Sequence, residues 1–382
     1  MSVRLRSAFA ALAALLFVCV VAPARAGVVN PDISVLGQPF MRWTNDPLDP
    51  STKRLTLEAG EVEAVFDAYL NPYAKGFFVL ALDDGEIELE EGYFTLVRGL
   101  PGGLALKGGK YRVTFGKLNP LHPHAVPFAE RPRVLAAYLP GDESFDEVGV
   151  SLSERIPLPG TFSLTATGDW LQGDTYRIPR EASGAPNDPL LLDPAGGDRA
   201  EEARPAFVGN LSGFGQLGER SGYEVSLSAT GGTNNVAAGT QTKVYDAAAK
   251  LKWWTAANSY LLMQGELLRL DREDAVWDET AAAYTSTTVE PMGGYVYADY
   301  NFSPRWDVGA FFEHFEEPTA AKVANQAFGA FAGLSLMEET TSFRLEWNRF
   351  APGDGSILSD DDIDTVLLRV IYSMGPHKAH SF

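Results

Sequence analysis

The chain has a single cysteine, Cys19, among its 382 residues. It lies in an apolar stretch near the start, so the rest of the chain can form neither a disulfide nor a cysteine-based metal centre. Positive charge is also scarce, with 31 Lys and Arg against 50 Asp and Glu and a net charge of −19. Such a balance argues against nucleic acid as a partner, because a phosphate backbone calls for a basic surface. Beyond the opening stretch, no apolar run reaches the roughly 20 residues that carry a helix across a bilayer. No Walker pattern or phosphate-cradling glycine loop is present, and no cofactor is expected.

The opening residues have a recognisable order. Arg4 and Arg6 precede an apolar run from Ala8 to Val21, which leads to Ala24-Arg25-Ala26. A positive start, a short apolar core and a small-x-small site together predict a secretory signal peptide over 1–26. Cleavage would leave 27–382, with 28 basic residues and a net charge near −22. No composition break marks a linker in that remainder, so one domain is expected.

The strongest signal is alternation. In the segment 294–302, Val296, Ala298, Tyr300 and Phe302 share one parity, and Tyr295, Tyr297, Asp299 and Asn301 the other. After a Ser303-Pro304 turn, Trp306, Val308, Ala310 and Phe312 stand against Arg305, Asp307, Gly309 and Glu313. Successive side chains of a strand point to opposite faces, so a period of two means strand. Similar segments recur along the chain. The pattern predicts an all-β fold, a transmembrane antiparallel β-barrel built as an up-and-down meander. About 16 strands are expected, with 14 as the alternative. Lipid would face the apolar parity and a polar bore the other, with aromatics forming girdles near the strand ends.

Connection lengths point the same way. Short joints at 158–159, 218–221, 255–257, 303–304 and 338–339 alternate with longer ones at 117–145, 173–204, 233–242, 271–289, 318–325 and 352–362. Bacterial outer-membrane barrels keep short turns on the periplasmic side and long loops outside. Asp84-Gly85 is an exception, a tight turn where a long loop belongs. The acidity could reside in the external loops, in the bore, or in both.

The block Lys110-Tyr111-Arg112-Val113-Thr114-Phe115-Gly116-Lys117-Leu118-Asn119-Pro120, followed by Phe128-Ala129-Glu130-Arg131-Pro132, resembles bacterial outer-membrane porins of the phosphate-selective type. Phe115, Gly116, Glu130, Arg131 and Pro132 carry the likeness, and the rest of the chain matches only as a general strand pattern. The resemblance implies that the loop 117–145 folds into the bore and narrows it, so that its charges filter solutes. It makes Lys117, Glu130, Arg131, Arg133, Asp142 and Glu143 the candidates for a constriction, with Asp146 beside them. Phosphate selectivity would need crowded arginines and lysines, and this loop has mixed charge. That substrate is not carried over. The terminal Phe382 agrees with the aromatic on which porin barrels end, although the preceding 375–380 would be a poor lipid-facing strand.

Two histidine pairs stand out. His122 and His124 flank a proline, and His377 and His380 lie in the tail. Imidazole is the commonest ligand for zinc or copper, and the loop pair is a candidate metal site. Two ligands alone do not close a site, and the surrounding prolines fit a rigid turn equally well. No Ser–His pair or matched carboxylates argue for an enzyme. Glu86, Glu88 and Glu90 read as a solvated wall.

The expected function is a passive channel in the bacterial outer membrane for small hydrophilic solutes or ions. The expected partners are lipid, lipopolysaccharide and the barrel assembly machinery, with a homotrimer by analogy to porins. The alternative is a ligand- or metal-uptake receptor barrel of the TonB-linked type that lacks its own plug domain.

Overall fold

The structure is a computed structural model that describes residues 31–83, 85–141, 144–177, 203–278, 280–281, 283–337 and 340–375. The expected signal peptide, Asp142, Glu143, the greater part of the loop 173–204 and the tail histidines lie outside the described residues.

The first half of the barrel comprises β1 (Asp32–Gly37), β2 (Phe40–Thr44), β3 (Leu55–Glu58), β4 (Val62–Tyr69), β5 (Ala74–Asp83), β6 (Glu86–Leu96), β7 (Ala105–Arg112), β8 (Asp146–Pro157) and β9 (Phe162–Leu171). The second half comprises β10 (Ala206–Leu217), β11 (Ser221–Asn235), β12 (Thr240–Ala256), β13 (Ser259–Asp278), β14 (Ala283–Val289), β15 (Met292–Ser303), β16 (Trp306–Glu316), β17 (Ala324–Met337), β18 (Thr341–Ala351) and β19 (Ile363–Met374). Each pairs antiparallel with its neighbours, and β19 returns to β1 and β2, so the sheet closes on itself. Closure leaves no row of unpaired amides at an edge.

Three pairs of segments are single barrel strands with an interruption. β1 and β2 both pair with β19, β3 and β4 pair with β2 and β1, and β14 and β15 both pair with β13. The barrel therefore has 16 strands, which resolves the choice between 16 and 14.

The outer face is the apolar parity. Val296, Tyr300, Phe302, Trp306, Val308 and Phe312 are exposed, whereas Tyr295, Tyr297, Asp299, Asp307 and Glu313 are buried. Phe207 and Trp170 pair across β10 and β9 near the long-loop rim, and Trp253, Phe302 and Trp306 sit outward near the short turns. Aromatic rings at both rims suit the two membrane interfaces. Among the described residues no helix is long and apolar enough to cross a membrane.

Two expectations need correction. The stretches 233–242 and 271–289, read as loops, are mostly strand, because β11 to β14 run far beyond the apolar band. Asp271, Arg272, Glu273 and Asp274 form an uninterrupted polar run and Thr233-Asn234-Asn235 another, so alternation gives no sign of strand there. The bore is also not polar throughout. Tyr111, Phe115, Phe128, Phe145, Tyr295, Tyr297, Phe315 and Phe331 belong to one buried apolar cluster inside the barrel. Many aromatics thus pack inward rather than forming girdles.

Candidate functional site

What fills the barrel is the segment from Val113 to Phe145, between β7 and β8, hereafter the strap. It includes a 3-10 turn at Pro123–Ala125 and one short helix, α1 (Arg133–Tyr138). Prolines at 120, 123, 127, 132 and 140 prevent any long helix or strand, since each removes an amide donor and fixes its own φ. The chain therefore has backbone amides and carbonyls that must find partners elsewhere.

The wall supplies them. Glu266 Oε1 on β13 accepts from the Lys117 and Leu118 amides at 2.9 and 2.7 Å. Glu346 Oε2 on β18 accepts from the Ala129 amide at 2.6 Å, and Glu313 Oε1 on β16 from the Val134 amide at 2.5 Å. Arg369 on β19 donates to the carbonyls of Pro123 at 3.0 Å and Val126 at 3.1 Å, and Arg344 on β18 to that of Pro127 at 2.7 Å. Buried charges are tolerated here because each has a hydrogen-bonded partner.

Gly116 shows how closely the strap approaches. Its φ is +59°, its amide donates to Ser228 Oγ at 3.0 Å, and a Cβ there would stand 2.1 Å from Glu266 Oε2. Only glycine combines that φ with that clearance. Apolar contacts fix the middle of the strap: the Phe128 ring packs edge-on against Tyr297 at 5.2 Å and tilted against Phe311 at 5.4 Å. A side chain this fully buried contributes about 1.5–3 kcal/mol.

The loop residues singled out from sequence have different surroundings. Lys117 Nζ pairs with Glu224 on β11. Glu130 lines a cavity of about 730 Å³ together with Arg42, Glu58, Glu61, Asp83 and Arg369. Arg131 donates to Asn119 Oδ1 at 2.7 Å and borders a second cavity of about 310 Å³. Burial, with Arg112 next in effect, lowers its pKa to about 10. Arg133 stacks its guanidinium 4.3 Å from the Phe350 ring centre. A third cavity, about 470 Å³, lies among Glu88, Glu90, Lys110, Arg112, Asp146 and Asp174. Adjacent cavities share walls: Glu90 and Arg112 border the second and third, and Glu61, Pro123 and Ala129 the first and second.

His122 and His124 stack at 5.7 Å between centres and face a group of wall glutamates. His122 Nε2 lies 2.8 Å from Glu91 Oε1, while its Nδ1 lies 3.3 Å from Glu63 Oε2 and 3.2 Å from Glu90 Oε2. His124 Nδ1 lies 3.1 Å from Glu63 Oε1. Burial opposes a charge on His122, but Glu63, Glu90 and Glu91 outweigh it and push its pKa up to about 11.

Sequence reasoning read Glu90 only as part of a solvated wall and missed Glu63 and Glu91, and for Glu91 the pairing explains why. Val79 of β5 pairs with Glu91 and Leu80 with Leu89, leaving Glu90 as the extra residue of a β-bulge. A bulge shifts the parity by one, so Glu90 and Glu91 both reach the strap. Strict alternation places Glu90 with Glu86 and Glu88 and turns Glu91 outward. Glu266, Glu313 and Glu346 carried no sequence signal beyond their polar parity.

No protein-family model matches the chain. An uncharacterized protein of Aquifex aeolicus (strain VF5) is 28% identical over 246 residues, 63% of this chain and 51% of the relative. The chain thus spans about half the length of the curated relative it matches. Among solved structures, the anion-selective porin from Comamonas acidovorans is similar at a TM-score of 0.58 and 11% identity, covering 91% of this chain and 100% of that one. The outer membrane channel DcaP of Acinetobacter baumannii gives a TM-score of 0.58 at 10% identity, covering 91% and 97%. OmpT of Vibrio cholerae in its trimer form gives 0.57 at 12%, covering 91% and 100%. At such identities the likeness is one of fold, and it does not single out the phosphate-selective type. The chain shares the closed antiparallel barrel of outer-membrane porins.

Proposed function

We propose that this protein is a channel in the bacterial outer membrane through which small hydrophilic solutes and ions diffuse, with the strap as its constriction. The observation that carries the proposal is the anchoring of one segment to wall strands around the barrel, by Glu266, Glu313, Glu346 and Arg369. A wall held together by its own ladder needs no such inner brace. A brace that fills much of the bore limits what can pass.

The charge of the lining gives the channel a mild preference for cations. The cavity of about 730 Å³ has Glu58, Asp83 and Glu130 against Arg42 and Arg369, and the cavity beside β8 has five carboxylates against Lys110, Arg112 and Arg177. A bore rich in one sign of charge concentrates the opposite ion. Export by a signal over 1–26, insertion by the barrel assembly machinery, contact with lipopolysaccharide and a homotrimeric state belong to the same proposal.

Recordings from the purified protein in planar bilayers test it. Stepwise openings that scale with salt, and a reversal potential shifted toward that of the cation in a salt gradient, are expected. A silent bilayer, despite insertion verified by protease protection, refutes the channel and favours the uptake receptor. Mass measurement in detergent decides the trimer separately.

A further inference from the structure

We propose that Glu63, Glu90 and His122 form a binding site for one divalent transition-metal ion of the zinc class, which ties the strap to the wall of the barrel. This inference does not depend on the protein being a channel.

The three residues come from β4, β6 and the strap, and a ligand atom from each lies within 4.8 Å of the others. The atoms that converge are His122 Nδ1, Glu63 Oε2 and Glu90 Oε2, and none of them makes a hydrogen bond. Glu63 is 1% exposed, so its Oε2, 3.3 Å from His122 Nδ1 and without a hydrogen bond, is a deeply buried acceptor. Leaving such an atom unsatisfied costs roughly 1–3 kcal/mol, and more when it is charged. A cation at the centre, displacing the proton from His122 Nδ1, would satisfy all three at once.

The spacing suits that cation better than a shared proton. His122 Nδ1 lies 3.3 and 3.2 Å from the two oxygens. A charge-assisted N–H to carboxylate bond is shorter, about 2.7–2.9 Å. Ligands about 2.0–2.1 Å from a tetrahedral zinc ion lie roughly 3.3–3.4 Å apart, close to the distances here.

The far side of every ligand is also held. His122 Nε2 is 2.8 Å from Glu91 Oε1, Glu63 Oε1 is 3.1 Å from His124 Nδ1, and Glu90 Oε1 accepts from Arg112 at 2.8 Å. A metal-bound histidine characteristically gives its other ring nitrogen to a carboxylate, and the carboxylate ligands are in turn hydrogen-bonded. His124 is thereby assigned to orienting Glu63, not to the ion. An imidazole among the ligands disfavours Ca²⁺ and Mg²⁺, and the absence of a thiol disfavours Cu⁺. With three protein ligands, the fourth position is left to water.

The test uses the full-length protein folded in detergent, stripped with chelator and dialysed. Equilibrium dialysis should find one Zn²⁺ per chain, and Co²⁺ should give the intense visible absorption of a four-coordinate ion. Glu63→Gln, Glu90→Gln and His122→Gln should each weaken Zn²⁺ by at least tenfold, and Glu91→Gln by about tenfold. Heat-modifiable mobility on gels reports whether each variant has folded. Absence of stoichiometric Zn²⁺, or binding that persists in folded His122→Gln, overturns the proposal. If the variants fail to fold, the Co²⁺ spectrum of the wild type decides, and a weak six-coordinate spectrum or none refutes the site.

Discussion

Replacing Glu266 with Ala should free one end of the strap while leaving the barrel intact. Glu266 is 2% exposed, and its Oε1 accepts from the Lys117 amide, the Leu118 amide and the Tyr295 hydroxyl, the last at 2.5 Å. Hydrogen bonds to a charged group contribute about 1.5–3 kcal/mol each, and the truncation leaves all three donors facing a void. Bonds sharing one acceptor are not additive, and water entering the gap recovers part of the loss, so the local cost is about 3–5 kcal/mol. That corresponds to roughly a hundred- to a few-thousand-fold rise in the detached strap population, at 1.4 kcal/mol per tenfold. Hydrogen exchange read by mass spectrometry is the assay, because it reports local opening separately from global unfolding. Peptides covering 113–121 should exchange faster by that factor, with β13 and β15 unchanged. Glu266→Gln, which keeps one acceptor oxygen, should fall between. Unchanged exchange of the strap in folded Glu266→Ala would refute the claim that wall carboxylates hold it.

Four further outcomes follow from the geometry. Gly116→Val would place a side chain on Glu266 at a φ of +59°, and it should raise single-channel current noise by unseating the strap. Glu130→Lys, in the lining of the 730 Å³ cavity, should move the reversal potential in a salt gradient toward that of the anion without changing stability to denaturant. Leu227→Arg, on the lipid face in the middle of β11 and 62% exposed, should cost about 2–4 kcal/mol in reversible folding into lipid vesicles. The buried neighbour Ser228 faces the strap, so Ser228→Ala should leave bilayer folding nearly unchanged and affect exchange at Gly116.

The barrel was legible because lipid makes a simple demand: one parity of each strand must be apolar. Val296, Tyr300, Trp306 and Phe312 obey it, and the alternation of short and long joints added the meander. Legibility failed where that demand lapses. β3 is four residues long, too short for its Leu55 and Leu57 to establish a period. The outer ends of β12 and β13 stand beyond the apolar band, and neither face there has to be greasy. At Glu90 the bulge reverses parity, and with it the side of the wall on which Glu91 falls. The candidate site was less legible still. Lys117, Glu130, Arg131, His122 and His124 came from one continuous segment, whereas their partners Glu63, Glu91, Glu224 and Glu266 lie up to 149 residues away. Strand alternation marks such partners only as inward-facing, and nothing local says what they meet.

The strap as constriction is the central claim, and the conductance of a chain without it addresses that most directly. Residues 114–144 would be replaced by a short Gly-Ser linker, and single channels of wild type and deletion compared in the same salt. The account predicts that both form channels and that the deletion passes several-fold more current with little ion preference. Equal conductance in the two folded proteins would contradict it, because the segment between β7 and β8 would then occupy the barrel without limiting passage.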